Sequence, residues 1–216
     1  MNRTPQNTRE EDRQRPRCSA PSSRQAAGED LAASVAAHAA KLTHAELSEL
    51  RTILTYDVLS EYDARFFSRY LRTLGLDFSE TFLKAEADWA RDEARHYRFF
   101  REAYDAVYGD RHDFDPELDR RSADFAPIAH LFEDEFSIAC LGAYDELATV
   151  RAFQANLSRY ALLGPVFEAK IRRVIADEAS HYSRFLRVLT KEHLHRLDEA
   201  PAIVQRIRET EGVAYA

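Results

Sequence analysis

Cysteine, glycine and proline are all scarce in this chain of 216 residues, and each scarcity excludes a class of structure. The two cysteines, Cys18 and Cys140, are too few for a disulfide framework and show no zinc-ligand spacing. Only six glycines and seven prolines interrupt the chain, which favours long helices. We therefore expect a reduced, mainly helical protein, for which the cytoplasm is the simplest setting.

Long apolar segments and an excess of positive charge are also missing. No apolar run approaches the ~20 residues that a membrane-spanning helix needs, and the N-terminus lacks the apolar core of a secretory signal. The net charge of -7 does not suit a nucleic-acid binder. The composition thus predicts a protein that has neither a membrane nor a nucleic acid as its partner.

The chain divides into a polar beginning and a helical remainder. Residues 1–28 are rich in Arg, Gln, Ser and Pro and show no apolar period, which predicts a disordered tail. Over residues 29–216 the apolar residues recur at helical spacing. The four long helices predicted there are Thr43–Leu74, Ser79–Gly109, Pro127–Leu163 and Pro165–Leu197.

Tight turns pair these long helices into two hairpins. Gly75 ends the first helix, and Gly164-Pro165 separates the third from the fourth. A polar connection, residues 110–125, joins the two hairpins, and short helices are predicted for Glu29–Leu42 and after Pro201. The pattern predicts an all-α four-helix bundle of two hairpins joined by a crossover.

The tetrapeptide Glu-x-x-His occurs three times, at Glu93/His96, Glu178/His181 and Glu192/His195. Chance alone gives roughly 0.7 matches in a chain with this content of Glu and His. The first two matches belong to a longer shared pattern, DEAxHYxxF, whereas the third does not. We assign the first two to function and the third to the solvated surface.

Helical spacing places both extended motifs on apolar helix faces. Glu93 and His96 share a face with the apolar residues of their helix, and Glu178 and His181 do the same in theirs. An ionised Glu in a dry core is costly unless a cation accompanies it. Two divalent metal ions bound by both motifs would supply that positive charge.

A di-metal site of this kind takes one further Glu from each of the other two long helices. Glu61 and Glu93 lie 15 and 17 residues from the turn at residue 76, which places them at matching heights at ~1.5 Å per residue. Glu146 and Glu178 lie 18 and 14 residues from the turn at residue 164, whereas Glu135 lies 29 residues away. The predicted metal ligands are Glu61, Glu93, His96, Glu146, Glu178 and His181.

Aspartates accompany the predicted site. Asp92 and Asp177 each lie four residues before a motif histidine. They can orient the histidine of the neighbouring helix, because a metal-bound His usually donates its other N–H to a carboxylate. Two ordinary surface aspartates are the equally weighted alternative. Asp57, one turn before Glu61, is a further candidate for a ligand or a supporting residue.

These motifs resemble those of the ferritin-like di-iron carboxylate superfamily. The resemblance is greatest to its oxygen-activating branch: acyl carrier protein desaturases, bacterial multicomponent monooxygenases and ribonucleotide reductase small subunits. Glu146-Leu147-Ala148-Thr149 resembles the Glu-x-Ala-Thr of the desaturases. Asp92-Glu93 and Asp177-Glu178 resemble the Asp-Glu pairs of the monooxygenases, whose aspartates bind the opposite motif's histidine. The chain is much shorter than a desaturase, and its first motif has Asp-Glu where those enzymes usually have Glu-Glu.

The resemblance implies an all-α, ferritin-like four-helix bundle over residues 29–216 that holds two iron ions, and manganese suits the same ligands. It implies a non-heme di-iron oxidase or oxygenase, of hydroxylase or desaturase type, that uses O2 on a small organic or acyl substrate. Electrons would come from an external donor such as a ferredoxin or a flavin reductase. A homodimer is one compatible assembly.

A substrate needs space beside the metals. The small residues Ala139 and Gly142 lie within two turns before Glu146, and Thr149, one turn after it, is placed to relay protons. Close helix packing is the equally weighted alternative for the small residues. The aromatic residues that would line such a cavity are Trp89, Phe100, Phe153 and Phe185.

Two other functions are compatible with the sequence. Iron storage or peroxide detoxification uses the same fold, although ferritin centres generally have one His and rubrerythrins usually carry a Cys-x-x-Cys domain that this sequence lacks. A metal-free interaction bundle would leave six buried ligands without partners, which is a costly arrangement.

Overall fold

The computed structural model describes residues 30–109 and 114–211, which form helices and turns with no β-strand among them. The predicted all-α class is therefore confirmed, while the predicted tail, residues 1–28, lies outside the described residues. The helices are α1 (Leu31–Ala39), α2 (His44–Leu71), α3 (Glu80–Tyr108), α4 (Phe114–Arg120), α5 (Glu135–Tyr160), α6 (Pro165–Glu192) and α7 (Ala200–Glu211). None of these described helices is long and apolar enough to cross a membrane.

Side-chain caps determine where the long helices begin. Thr43 and Glu46 form the predicted capping box of α2: the Thr43 hydroxyl accepts from the Glu46 N–H, and the Glu46 carboxylate accepts from the Thr43 N–H at 2.8 Å. Ser79 caps α3 in the same way by accepting from the N–H of Phe82. These bonds satisfy N–H groups that have no partner within the helix.

The third long helix begins eight residues later than Pro127, the predicted start. Residues Ala126–Leu131 form a 3-10 helix instead, and α5 begins at Glu135. Asp134 caps α5, accepting from the N–H of Ser137 at 2.8 Å and from Arg196 at 2.7 Å. An aspartate that bonds locally to the backbone competes with helix continuation, and an apolar period does not reveal it.

The predicted connection, residues 110–125, contains the short helix α4, which its polar composition did not predict. Leu118 of this helix is buried, and its carbonyl accepts a hydrogen bond of 2.8 Å from the hydroxyl of Tyr62 on α2. The helix α4 is therefore packed against the first hairpin through Leu118.

The last long helix ends at Glu192, five residues before its predicted end at Leu197. His193 leaves the helical conformation, with φ -128° and ψ 27°, and its Nε2 lies 2.9 Å from Oε1 of Glu135. A 3-10 helix follows, and then α7, which begins close to the predicted position.

Two apolar clusters fill the interior, one on each side of a polar layer. In α3, Phe82 belongs to one cluster and Phe100 to the other; in α6, Phe185 and Ile171 are divided in the same way. Both Glu-x-x-His motifs lie between these positions. Because α2 packs along α3, α5 along α6, and α3 also contacts α6, the motifs of α3 and α6 meet in this layer.

Gly164, at the turn between α5 and α6, has a backbone φ of 95° that side chains rarely adopt, and a Cβ there would lie 2.6 Å from ring atoms of His38. Gly75 also has a positive φ, 66°, but a Cβ there would meet nothing within 4 Å. We expect Gly164→Ala to cost about 1–3 kcal/mol from the backbone alone, with the clash added to it. Gly75→Ala should cost only about 1–2 kcal/mol.

Thermal unfolding followed by circular dichroism measures both variants. In a domain of this size each kcal/mol lowers the Tm by roughly 2–4 °C. Equal Tm values for Gly164→Ala and Gly75→Ala would contradict the contact with His38.

Candidate metal centre

The structure brings all six predicted metal ligands together in the polar layer. Two groups of four residues have ligand atoms that all lie within 4.8 Å of one another. The first group is Glu61, Glu93, His96 and Glu178, and the second is Glu93, Glu146, Glu178 and His181. Glu93 and Glu178 belong to both groups, so the geometry offers two adjoining sites that share two carboxylates.

The histidines direct one ring nitrogen toward the carboxylates. Nδ1 of His96 lies 3.0 Å from Oε1 of Glu178, and Nδ1 of His181 lies 2.8 Å from Oε2 of the same carboxylate. Nδ1 of His181 also lies 3.4 Å from Oε2 of Glu146. Each imidazole thus presents the same atom to the cluster, from opposite sides of Glu178.

The other ring nitrogens face the two aspartates across the helix pair. Nε2 of His181 lies 3.2 Å from Oδ2 of Asp92, and Nε2 of His96 lies 3.4 Å from Oδ2 of Asp177. Asp92 belongs to α3 and His181 to α6, whereas the second pair has the reverse arrangement. This is the crossed orientation described from the sequence, and it leaves each Nδ1 directed at the carboxylates.

Arg95 links the two aspartates and was not singled out in the sequence. Its guanidinium donates to Asp177 at 2.8 Å and lies 3.0 Å from Asp92. The position three residues after Asp92 on a helix is the only sequence signal for this contact. The arginine thereby holds both supporting carboxylates from the solvent side.

The six predicted ligands are buried, and several of their polar atoms lack hydrogen-bond partners among the described residues, which together favour a bound cation at this position. All six residues are at most 8% exposed. Five of their buried atoms have no hydrogen-bond partner within residues 30–109 and 114–211: Oε2 of Glu61, Oε1 of Glu93, Nδ1 of His96, Oε2 of Glu146 and Oε1 of Glu178. A buried polar atom without a partner is costly. The carboxylate oxygens and imidazole nitrogens of these groups could therefore hold a metal ion.

The pKa values of the buried glutamates reflect the same energetic cost of burial. Burial, together with repulsion from Glu93, raises the pKa of Glu61 well above its usual range. Burial also raises the pKa of Glu93 and, more strongly, that of Glu146. These carboxyl groups lie too far from water and too close to one another to ionise freely.

Glu178 differs from the other carboxylates. Burial alone would raise its pKa, but the neighbouring imidazoles of His181 and His96 outweigh burial and lower that pKa to about 2. Burial would lower the pKa of His181, yet the neighbouring carboxylates of Glu146 and Glu178 raise it to about 11. Glu178 is thus the one of the four glutamates whose pKa lies below its usual range.

Trp89 was predicted to line the cavity, and it also bonds directly to one of the predicted ligands. Its indole N–H donates to Oε1 of Glu146 at 2.7 Å. Trp89 lies one turn before Glu93 on the same helix, which identified it as a neighbour of the site. The direction of its N–H depends on how α5 is rotated, and sequence spacing does not report that rotation.

Asp57 lies outside both four-residue groups. It is 5% exposed, and its Oδ2 accepts a hydrogen bond of 2.9 Å from the hydroxyl of Tyr160 on α5. Burial raises the pKa of Asp57 to about 8. Its place is next to the site, in the wall of the adjoining cavity.

A cavity of about 660 Å³ adjoins the carboxylates, with walls mainly from α2 and α5. Glu61, Glu93, Glu146 and Glu178 all contribute to its lining, whereas His96 and His181 do not. Tyr56, which also lines the cavity, is 55% exposed. The carboxylate side of the layer is therefore the side that faces the cavity.

Two of the six residues predicted for this cavity lie elsewhere. Ala139 and Phe100 are fully buried in the two apolar clusters, on opposite sides of the polar layer. The predicted residues that do line the cavity are Trp89, Gly142, Phe153 and Phe185, together with Thr149. Helical spacing identified the buried face of each helix but not which part of that face borders a void.

Gly142 combines the two roles that the sequence left open. It lines the cavity, and a Cβ at this position would lie 2.9 Å from the ring of Phe185. The glycine thus allows close contact between α5 and the Phe185 ring, and a larger residue would displace that ring.

The glutamates that were not predicted as metal ligands, Glu135 and Glu192, have hydrogen-bond partners elsewhere. Glu135 accepts from the Ser79 hydroxyl at 2.9 Å and lies 2.9 Å from Nε2 of His193. Glu192 accepts from the hydroxyl of Thr81 and from Lys191. Neither glutamate, nor His195, belongs to the two clustered groups.

Comparisons of the chain with protein-family models, with curated proteins and with solved structures find no match. The case for a metal centre therefore rests on the geometry of this chain.

Replacing Glu146 and Glu135 in turn tests the ligand assignment. We expect Glu146→Ala to abolish binding of at least one of two Fe(II) ions, because it removes a ligand atom of the second group. Glu135→Ala should lower the Tm, since Ser79 and His193 lose a partner, but should leave metal content unchanged. Elemental analysis of the Fe(II)-loaded proteins measures the metal content of both variants. Retention of two metals by Glu146→Ala would refute the assignment.

The crossed aspartates give a second prediction. Asp92→Asn should weaken metal affinity about 10–100-fold, because the carboxylate that orients His181 is lost. Asp88, one turn earlier on α3, pairs with Arg91 at 2.8 Å and is the matched control. Competition with a metal chelator measures both affinities, and equal effects of Asp92→Asn and Asp88→Asn would exclude an orienting role.

Proposed function

We propose that the chain is a ferritin-like di-iron oxidase or oxygenase that uses O2 to oxidise a small organic or acyl substrate. The observation that carries this proposal is the pair of four-residue groups that share Glu93 and Glu178. A single-metal site has no use for two further buried ligands, and a purely structural core would not leave five polar atoms without partners.

The helix arrangement supports the ferritin-like assignment. The hairpins α2/α3 and α5/α6 are joined by the connection around α4, and ligands come from one helix of each hairpin as a Glu and from the other as Glu-x-x-His. This ligand distribution is that of the di-metal carboxylate bundles.

In the proposed enzyme Glu61 and His96 would hold one iron and Glu146 and His181 the other, while Glu93 and Glu178 would serve both. When bound, an iron pair supplies the one-electron chemistry that reduction of O2 requires. Manganese suits the same oxygen and nitrogen ligands. Asp92 and Asp177 keep the imidazoles oriented.

The cavity beside the predicted ligands supports an enzymatic function for the site. Its wall includes the apolar side chains of Phe67, Trp89 and Phe185 together with Glu61 and Glu146, so that an apolar part of a substrate would displace water beside these carboxylates. Thr149 lines the same cavity, and in the proposed enzyme its hydroxyl would pass a proton between the cavity and solvent. The proposal includes an external electron donor, such as a ferredoxin or a flavin reductase, and a homodimeric assembly.

Iron stoichiometry distinguishes this enzyme from a storage protein. After repeated additions of Fe(II) and O2 we expect uptake to stop near two irons per chain, the number that the two ligand groups can hold. Metal analysis after gel filtration gives the ratio, with Glu146→Ala as a control that should hold fewer. Uptake of tens of irons per chain would support storage and refute the oxygenase.

A further inference from the structure

The cavity beside the metal centre contains carboxyl groups but no cationic side chain. Among the described residues that line it, none is Lys, Arg or His. Four of its acidic residues belong to the metal centre, and the remaining three are Asp57, Asp63 and Asp145. A substrate that ends in a free carboxylate would therefore meet like charge and no cationic side chain among these lining residues.

Asp63 is already neutralised by its own partner. Both of its carboxylate oxygens accept hydrogen bonds of 2.6 Å from the guanidinium of Arg121. Because this ion pair is bidentate, Asp63 presents little uncompensated charge to the cavity.

Asp57 is in the opposite situation. It is 5% exposed, yet its only hydrogen bond among the described residues comes from the neutral hydroxyl of Tyr160, and that bond uses Oδ2. A buried carboxylate is stabilised when a cation or several donors accompany it. Since Asp57 lines the cavity, a bound molecule can supply the missing cation there.

The two ends of the cavity differ in character. Near Asp57 the wall contains Tyr160 and Asn156, whereas beyond Glu61 along α2 it contains Phe67, with Trp89 and Phe125 beside it. Asp57 lies four residues before Glu61, about 6 Å along the helix. A molecule with a cationic end at Asp57 and an apolar remainder would pass directly over the metal-binding carboxylates.

We propose that this cavity takes a substrate with an ammonium group, which Asp57 binds, and with an apolar remainder that lies toward Phe67. The bond to be oxidised then lies a few bonds away from the nitrogen. This inference rests on the proposed function, and it favours an amine over a free acyl carboxylate as the substrate.

Three probes of equal chain length test the proposal: hexylamine, hexanoate and hexanol. Binding is measured by isothermal titration calorimetry at pH 8.5 on the full chain loaded with Zn(II), which does not support O2 chemistry. We expect hexylammonium to bind at least about tenfold more tightly than hexanoate. Hexanol should lie between them, because it donates a hydrogen bond without a charge.

Two variants test whether Asp57 makes the contact with the ammonium group. Asp57→Asn should weaken hexylammonium binding at least about tenfold and change hexanol binding little. Asp63→Asn, the matched carboxylate in the same wall, should change hexylammonium binding less than threefold, because Arg121 already compensates Asp63. If Asp57→Asn does not fold, the comparison of the three probes on the natural chain decides.

The proposal is overturned if hexanoate binds as tightly as hexylammonium, if hexylammonium does not bind at millimolar concentration, or if a folded Asp57→Asn retains its affinity. Zinc content of the same samples reports separately on the metal centre. A chain that binds two zinc ions but prefers hexanoate would refute the amine and leave the di-metal site intact.

Discussion

The fold is organised around the cost of burying ionisable groups. Four glutamates and two histidines form a layer between two apolar clusters, at a depth where each is at most 8% exposed. Such a layer is stable only when its charges compensate one another or a cation joins them. The helices that carry these residues must therefore keep a fixed register, and the caps and turns at their ends support that register.

Contacts between the hairpins maintain the layer. Asp92 bonds across to His181 and Asp177 across to His96, so each histidine is held by the helix that carries the other histidine. Arg95 joins both aspartates. A shift of α3 along α6 would break both aspartate–histidine contacts and the contact of Arg95 with Asp177, so the polar layer aligns these two helices as well as forming a candidate binding site.

Sequence alone predicted the class of fold and the assembly of the cluster, because both depend on helical periodicity. Counting residues from the turns sufficed to bring Glu61 and Glu146 to the level of the motifs, since helix rise is constant. Features that depend on the rotation of a helix about its axis, or on local hydrogen bonds, could not be predicted from the sequence. The break before α5 follows from the bonds of Asp134, and the position of Phe100 away from the cavity follows from how neighbouring helices face one another.

The two halves of the layer are similar in sequence but unequal in chemistry. Arg95 of the first motif corresponds to Ser180 in the second, and Trp89, which bonds to Glu146, corresponds to Val174. The Glu146 carboxylate thus has a hydrogen-bond donor from the first repeat that has no counterpart on the side of Glu61. Two ions in this layer would occupy inequivalent positions, so that loading would proceed in two steps of different affinity and one ion would leave before the other.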